Sequence, residues 1–299
     1  METCGKINVT QDKVNNMNVF IIGPIFPIRG GVAHSNRLLC ENLMKNHSVT
    51  AISFSCMFPQ FLYPGKEQRE PSPDPTFNVK TENALDFRNP LTWIQVGKKI
   101  REEKPNWVIF QWWHPIFTPM FWTIIMNGKN AHTQFSCICQ NVLPHESGTL
   151  VDVLNTNLTK LFFRQLNYII TLSSSDLKSV QTFMPHKKSA YMIESTYESQ
   201  FGKIPSKKDA RKKLGISAHA LLFFGFVRPY KGLKYLLQSL PSIVKKMPEL
   251  KLMIVGEFWS DKKEYIDLVQ QLRLQNNVMI VDRYVSNAEV PTYFAAADA

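Results

Sequence analysis

The chain has 299 residues, more than one domain usually holds, with 44% hydrophobic and 20% charged residues and a net charge of +11. No apolar run approaches the about 20 residues that a membrane-spanning helix needs. The start, Met1-Glu2-Thr3-Cys4-Gly5-Lys6, is not the basic-then-apolar opening of a secretory signal.

The elements alternate along the chain. Residues 1–16 are polar and read as a loose tail. Asn18–Ile22 is a strand that runs into Gly23-Pro24-Ile25-Phe26-Pro27-Ile28-Arg29-Gly30-Gly31, and a helix follows over 32–45. Glycines at a strand end suit close approach of backbone to a ligand, but this is not the GxGxxG fingerprint of a dinucleotide site. Val49–Phe54 is a second strand. Residues 55–90 show no clear period and are too long for an ordinary connection. A helix over 91–103 leads to the strand Trp107–Phe110.

Trp112, Trp113 and His114 then lie beside prolines directly after that strand, where ligands bind in open α/β sheets. They read either as a platform for a sugar ring or as core aromatics. Residues 119–128 are helical and 133–139 a strand. Its Cys137 and Cys139 share a face and, like Cys4, Cys40 and Cys56, belong to no CxxC pair; reduced core thiols are expected. The loop Gln140-Asn141-Val142-Leu143-Pro144-His145-Glu146 follows. A helix over 151–165, a strand over 168–172, a helix over 174–183 capped by Ser173, and a strand over 189–193 complete a first domain, 17–197.

The second domain, 198–299, begins with a linker over 198–206 and a basic helix over 207–213 capped by Ser206. Residues 220–224 are a short apolar run with no helical spacing, as in a central parallel strand. Gly225 lets the chain turn, and Gly232 opens a helix over 233–247 with Leu233, Leu236, Leu237, Leu240, Ile243 and Val244 on one face. Arg228 and Lys231 sit in the turn between. Strand end, glycines, two cations and a helix N-terminus together describe a phosphate or diphosphate site; a solvated basic turn is the other reading. Strand 251–255 ends at Gly256-Glu257, helix 261–273 follows, and strand 278–281 leads through Arg283, Tyr284 and Val285 to a helix over 287–296 with Ser286 and Glu289 as a capping box. From residue 200 onward there are 16 Lys and Arg against 9 Asp and Glu, compared with 19 against 15 before it. That bias suits an anionic ligand and is compatible with peripheral contact at an anionic membrane. No nucleic-acid-binding module is recognised.

The stretches Gly30-Gly31, 140–146, 223–233 and 278–298 resemble the retaining glycosyltransferases of family 4, the group 1 glycosyl transferases of GT-B fold. Gly225, Lys231 and Gly232 match that family's donor turn. Its Arg usually follows the glycine directly; here Phe226 stands in that place and Arg228 two residues later. The resemblance implies two Rossmann-like α/β domains, the second incomplete because the chain ends at Ala299. It implies a cytoplasmic transferase that takes a sugar from a UDP-sugar or GDP-sugar without a cofactor, and the basic charge is compatible with a place at the inner face of the membrane. Gly30, Gly31, Arg228 and Lys231 would hold donor phosphates, Glu257, Arg283, Tyr284 and Val285 the nucleotide, and His145 would assist at the reacting sugar. Trp112, Trp113, His114, Asn141 and Glu146 would face a saccharide or lipid-linked acceptor. Gln140 stands where the family often has His. An inactive nucleotide-sugar-binding fragment and an epimerase of the same fold are the alternatives.

Overall fold

The computed structural model describes residues 16–59, 63, 65, 67–70, 77–142, 149–194, 196 and 203–299. They form two compact units, the first running to Glu194 and the second over Thr196–Ala299.

The first unit is built on a seven-stranded, wholly parallel sheet. Its strands are β1 (Asn18–Ile22), β2 (Ser48–Cys56), β3 (Thr81–Asp86), β4 (Trp107–Trp112), β5 (Gln134–Cys139), β6 (Tyr168–Thr171) and β7 (Ser189–Tyr191), in spatial order β3-β2-β1-β4-β5-β6-β7. The order reverses between β1 and β4, so the crevice beyond their carboxyl ends is the place where such sheets take ligands. The helices are α1 (Gly31–Leu43), α2 (Pro90–Glu103), α3 (Thr118–Gly128), α4 (Thr149–Arg164) and α5 (Ser174–Phe183).

Strand alternation explains the core. Val108, Phe110 and Trp112 occupy every second position of β4 and are all fully buried. Phe110, Trp112, Phe117, Phe121, Phe162 and Phe163 make one aromatic mass, in which Trp112 stacks on Phe162 with ring centroids 4.6 Å apart. Each such side chain contributes on the order of 2–3 kcal/mol by leaving water. Cys137 and Cys139 are buried in the same core, and burial raises both thiols far above their usual range.

Three local expectations are corrected here. The 55–90 stretch contains a strand, β3, which only its neighbour β2 pairs; it is an edge strand in which only Leu85 is buried, so its sequence carries little alternation. Residues 67–70 also lie against the loop after β1, with Ile28 and Arg69 forming an antiparallel bridge and Arg29 donating to the Glu67 carbonyl. And β4 runs two residues beyond Phe110, which places Gln111 and Trp112 in the sheet.

The second unit comprises α6 (Lys207–Leu214), β8 (Ala220–Phe224), α7 (Leu233–Val244), β9 (Lys251–Val255), α8 (Lys262–Gln271), β10 (Val278–Val281) and α9 (Val290–Ala296). Its sheet is parallel, in order β10-β9-β8. Helix α7 ends at Val244, three residues earlier than expected. Helix α6 follows its sequence signals closely: Ser206 accepts from the Asp209 amide, and Gly215 closes it in the left-handed region. Asp298 ties this unit together. Its carboxylate accepts from the Ala220 amide at the head of β8 and from Arg211 and Lys207 of α6, and these donors hold it well below the usual carboxylate range.

Candidate functional site

At the carboxyl ends of β8 and β9 two glycine backbones touch. Gly225 (φ 101°) and Gly256 (φ 146°) both adopt the region that favours glycine, and a Cβ on Gly256 would lie 2.1 Å from the Gly225 carbonyl oxygen. Beyond them the ladder resumes: Val227 donates to the Glu257 carbonyl (2.9 Å), Trp259 donates to the Val227 carbonyl (3.1 Å), and Val227 bridges Phe258. The chain is therefore rigid on both sides of the corner. Arg228 follows in extended conformation, Pro229–Lys231 make one 3-10 turn, and Gly232 (φ 78°) admits α7.

The two cations are placed by this backbone. The Lys231 ammonium folds back over Gly225, 3.1 Å from where a Cβ would stand. Partial burial of the ammonium, then the like charge of Arg228, lowers its pKa below the ordinary lysine value, although the residue as a whole remains exposed. The Arg228 guanidinium lies over the Trp259 ring, 4.3 Å from its centroid. Phe226, in the position the family resemblance gives to Arg, stacks on that same indole at 4.2 Å, and Tyr284 lies 6.4 Å from Phe226. Two cations that repel each other above a glycine corner are suited to an anion with two charges to share.

The other residues expected around a nucleotide take varied places. Glu257 is buried, and its backbone carbonyl serves the ladder just described. The guanidinium of Arg283 forms a two-pronged pair with Glu289, which lowers the Glu289 carboxyl to about 2. The capping box is present in part, with Ser286 Oγ donating to Glu289 (2.9 Å), but α9 begins only at Val290. The Val285 side chain is buried beside Val290 and Tyr293, so only its backbone can meet a ligand. Asp282 accepts from the Phe258 amide (3.1 Å) and pairs with Lys262.

In the first unit, Gly30 (φ 119°) and Gly31 open α1, with no side-chain cap and, among the described residues, no heavy atom within 4 Å of a Cβ at either position. The α1 N-terminus thus follows β1, with the Ala33 and His34 amides closing on the Gly30 carbonyl. The platform expected of Trp112 does not exist, because its side chain is fully buried in the core. The Trp113 ring is drawn onto Phe117, 4.4 Å away, and edge-on to Phe54. The Nδ1 atom of His114 accepts from the Ile116 amide (3.1 Å), and burial lowers its pKa. Asn141 is half-buried at the end of β5. His145 and Glu146 lie outside the described residues.

One feature of this unit was missed from sequence. Gln140 donates to Gln111 (3.2 Å), Gln111 donates to Asn36 (3.1 Å), and Asn36 donates to the Pro24 carbonyl (2.9 Å). This buried chain of amides crosses the reversal point between β1 and β4 and ends on Gln140, where the resembled family often has His. Its signal was the odd presence of Gln111 within an otherwise apolar strand. Trp259 was also missed; its signal was an aromatic placed two residues after the strand-end pair Gly256-Glu257. Among the described residues no group of three or more His, Cys, Asp or Glu is gathered as a metal site, and no helix is long and apolar enough to cross a membrane.

Comparison with known proteins bears on the second unit and on the fold. Residues 206–299, the segment that carries the whole glycine corner, match the family described as Glycosyl transferases group 1. An uncharacterized glycosyltransferase of Methanocaldococcus jannaschii is 24% identical over 218 residues, 69% of this chain and 52% of the relative. The chain thus spans about half the length of that curated relative. Among solved structures, Anabaena HepE in complex with UDP superposes with a TM-score of 0.64 at 14% identity, covering 94% of this chain and 72% of HepE. The catalytic domain of Arabidopsis thaliana starch synthase IV, bound to ADP and acarbose, gives 0.59 at 14% identity over 95% and 77% of the two chains. The fold is α/β with parallel sheets, of the kind seen in GT-B glycosyltransferases.

Proposed function

We propose that the chain is a glycosyltransferase that moves a sugar from a nucleotide diphosphate-sugar to a saccharide or lipid-linked acceptor with retention. The observation that carries this reading is the glycine corner with Arg228 and Lys231 on it, within the segment that matches the group 1 glycosyl transferases. In the reaction, the bond between the anomeric carbon and the diphosphate oxygen breaks, and its electron pair leaves with the diphosphate. The acceptor oxygen bonds to the anomeric carbon on the same face, and its proton leaves with the departing group. Arg228 and Lys231 stabilise the charge that develops on the diphosphate, a term in which one lost donor typically costs about 10²–10³ in rate. We assign Gly30, Gly31, Trp113, His114, Asn141 and Glu146 to the same reaction, with His145 as the group assisting at the sugar.

The test is calorimetric titration with UDP and GDP of the wild type and of Lys231→Ala. A charge-assisted hydrogen bond is worth about 1.5–3 kcal/mol. The variant is expected to bind the preferred nucleotide about 10- to 150-fold more weakly. Equal affinity in the two proteins would overturn the assignment.

A further inference from the structure

Arg228 stands two residues beyond the position from which an arginine reaches the diphosphate in the resembled family, and it must reach the same anion from a different starting point. A long, half-buried arginine pays rotamer entropy to hold one pose. The Lys231 ammonium beside it favours poses that carry the guanidinium away from the corner. Something must hold it there.

Trp259 is placed to do so. Its indole carries the Arg228 guanidinium at 4.3 Å and the Phe226 ring at 4.2 Å, the latter inclined by 30°. Indole is the strongest aromatic partner for a cation. A guanidinium held over an aromatic face still has its planar fork of N–H donors to offer an oxyanion. Both backbones are fixed by the same short ladder, through Val227 to the Glu257 carbonyl and Trp259 to the Val227 carbonyl. The spacing of the two backbones from which these side chains start therefore follows from the fold. Phe226, which cannot contact a phosphate, braces the indole.

We propose that Trp259 is a positioning residue: it aims the Arg228 guanidinium at the donor diphosphate and thereby lets Arg228 replace an arginine at position 226. The inference rests on the diphosphate reading above. Its test is a double-mutant cycle on the full chain, read as UDP and GDP dissociation constants, with Lys231→Ala as the separate control on that reading. Trp259→Leu is expected to weaken nucleotide binding about threefold to tenfold, the range for losing a partly desolvated cation–π contact. Trp259→Phe keeps a π face and is expected to stay within about twofold of wild type. In the Arg228→Ala background, Trp259→Leu is expected to cause no further loss, because the indole would have nothing left to aim. A structural role, or a direct contact between the indole and the nucleotide, predicts the opposite, a loss of the same size in both backgrounds; that result would overturn the proposal. So would unchanged binding by Trp259→Leu alone. If Lys231→Ala and Arg228→Ala both bind UDP and GDP like wild type, the diphosphate reading falls and this inference with it. Loss in those two variants with none in Trp259→Leu would sink the inference alone.

Discussion

Replacing Gly256 by alanine tests the glycine corner most sharply. The new Cβ would stand 2.1 Å from the Gly225 carbonyl oxygen and 2.6 Å from its carbon, and no side-chain rotation can relieve a contact with backbone. The φ of 146° adds strain, on the order of 1–3 kcal/mol for a residue other than glycine. Forced displacement in a packed region adds about 1–3 kcal/mol more. Together these suggest about 4 kcal/mol, a large part of the 5–15 kcal/mol that holds a domain folded. Hydrogen exchange read by mass spectrometry suits the question, since it follows β8 and β9 apart from β1 and β4. Gly256→Ala is expected to lower protection in peptides covering residues 220–224 and 251–255 by about 10³-fold while leaving those of the first unit unchanged. Gly31→Ala is the matched control: among the described residues nothing beyond its chain neighbours and its own helix lies within 4 Å of its Cβ, so no protection should be lost. Protection in Gly256→Ala within a few-fold of wild type would refute the idea that the two strand ends depend on bare backbone contact.

Two further outcomes follow from the geometry. The Arg283 pair lowers the Glu289 carboxyl from 4.5 to about 2, so its contribution to stability is complete above about pH 4.5 and disappears as the pH falls toward 2. Glu289→Gln should therefore be less stable than wild type at neutral pH, with the gap closing across that window in urea titrations; a gap independent of pH would contradict the pairing. Trp112→Ala should cost about 3–5 kcal/mol, as for a large buried aromatic. Trp112→Phe should cost much less, because the indole N–H has no hydrogen-bond partner among the described residues; equal losses in urea would show that this N–H matters.

The alternation of strands and helices was legible because parallel strands read as short apolar runs, as in Lys251–Val255, where four of five residues are buried; Ala220–Phe224, read as a central strand, instead lies at one end of the three-stranded sheet among the described residues and finishes on an exposed Phe224. The caps at Ser173 and Ser206 were legible because short polar side chains satisfy helix amides locally. Edge strand β3 was not, since Thr-Glu-Asn-Ala-Leu-Asp buries one residue and lacks a period. Trp112 was misplaced because prolines after it suggested a loop, yet its two-residue spacing from Val108 and Phe110 places it on their face of β4. Arg228 and Lys231 could be placed in the turn from sequence, but what orients them could not. Trp259 comes from the loop after another strand, β9, and the Asn36–Gln111–Gln140 amide chain joins residues up to 104 positions apart. Pairings across that separation leave no local pattern.

The most direct measurement follows backbone amide resonances of the chain during titration with UDP and with GDP. The diphosphate reading predicts that one of the two shifts the amides of Gly225, Lys231 and Gly232 first and saturably, and that Lys231→Ala removes the response. Saturable binding that leaves those three amides in place, or no response to either nucleotide, would contradict it.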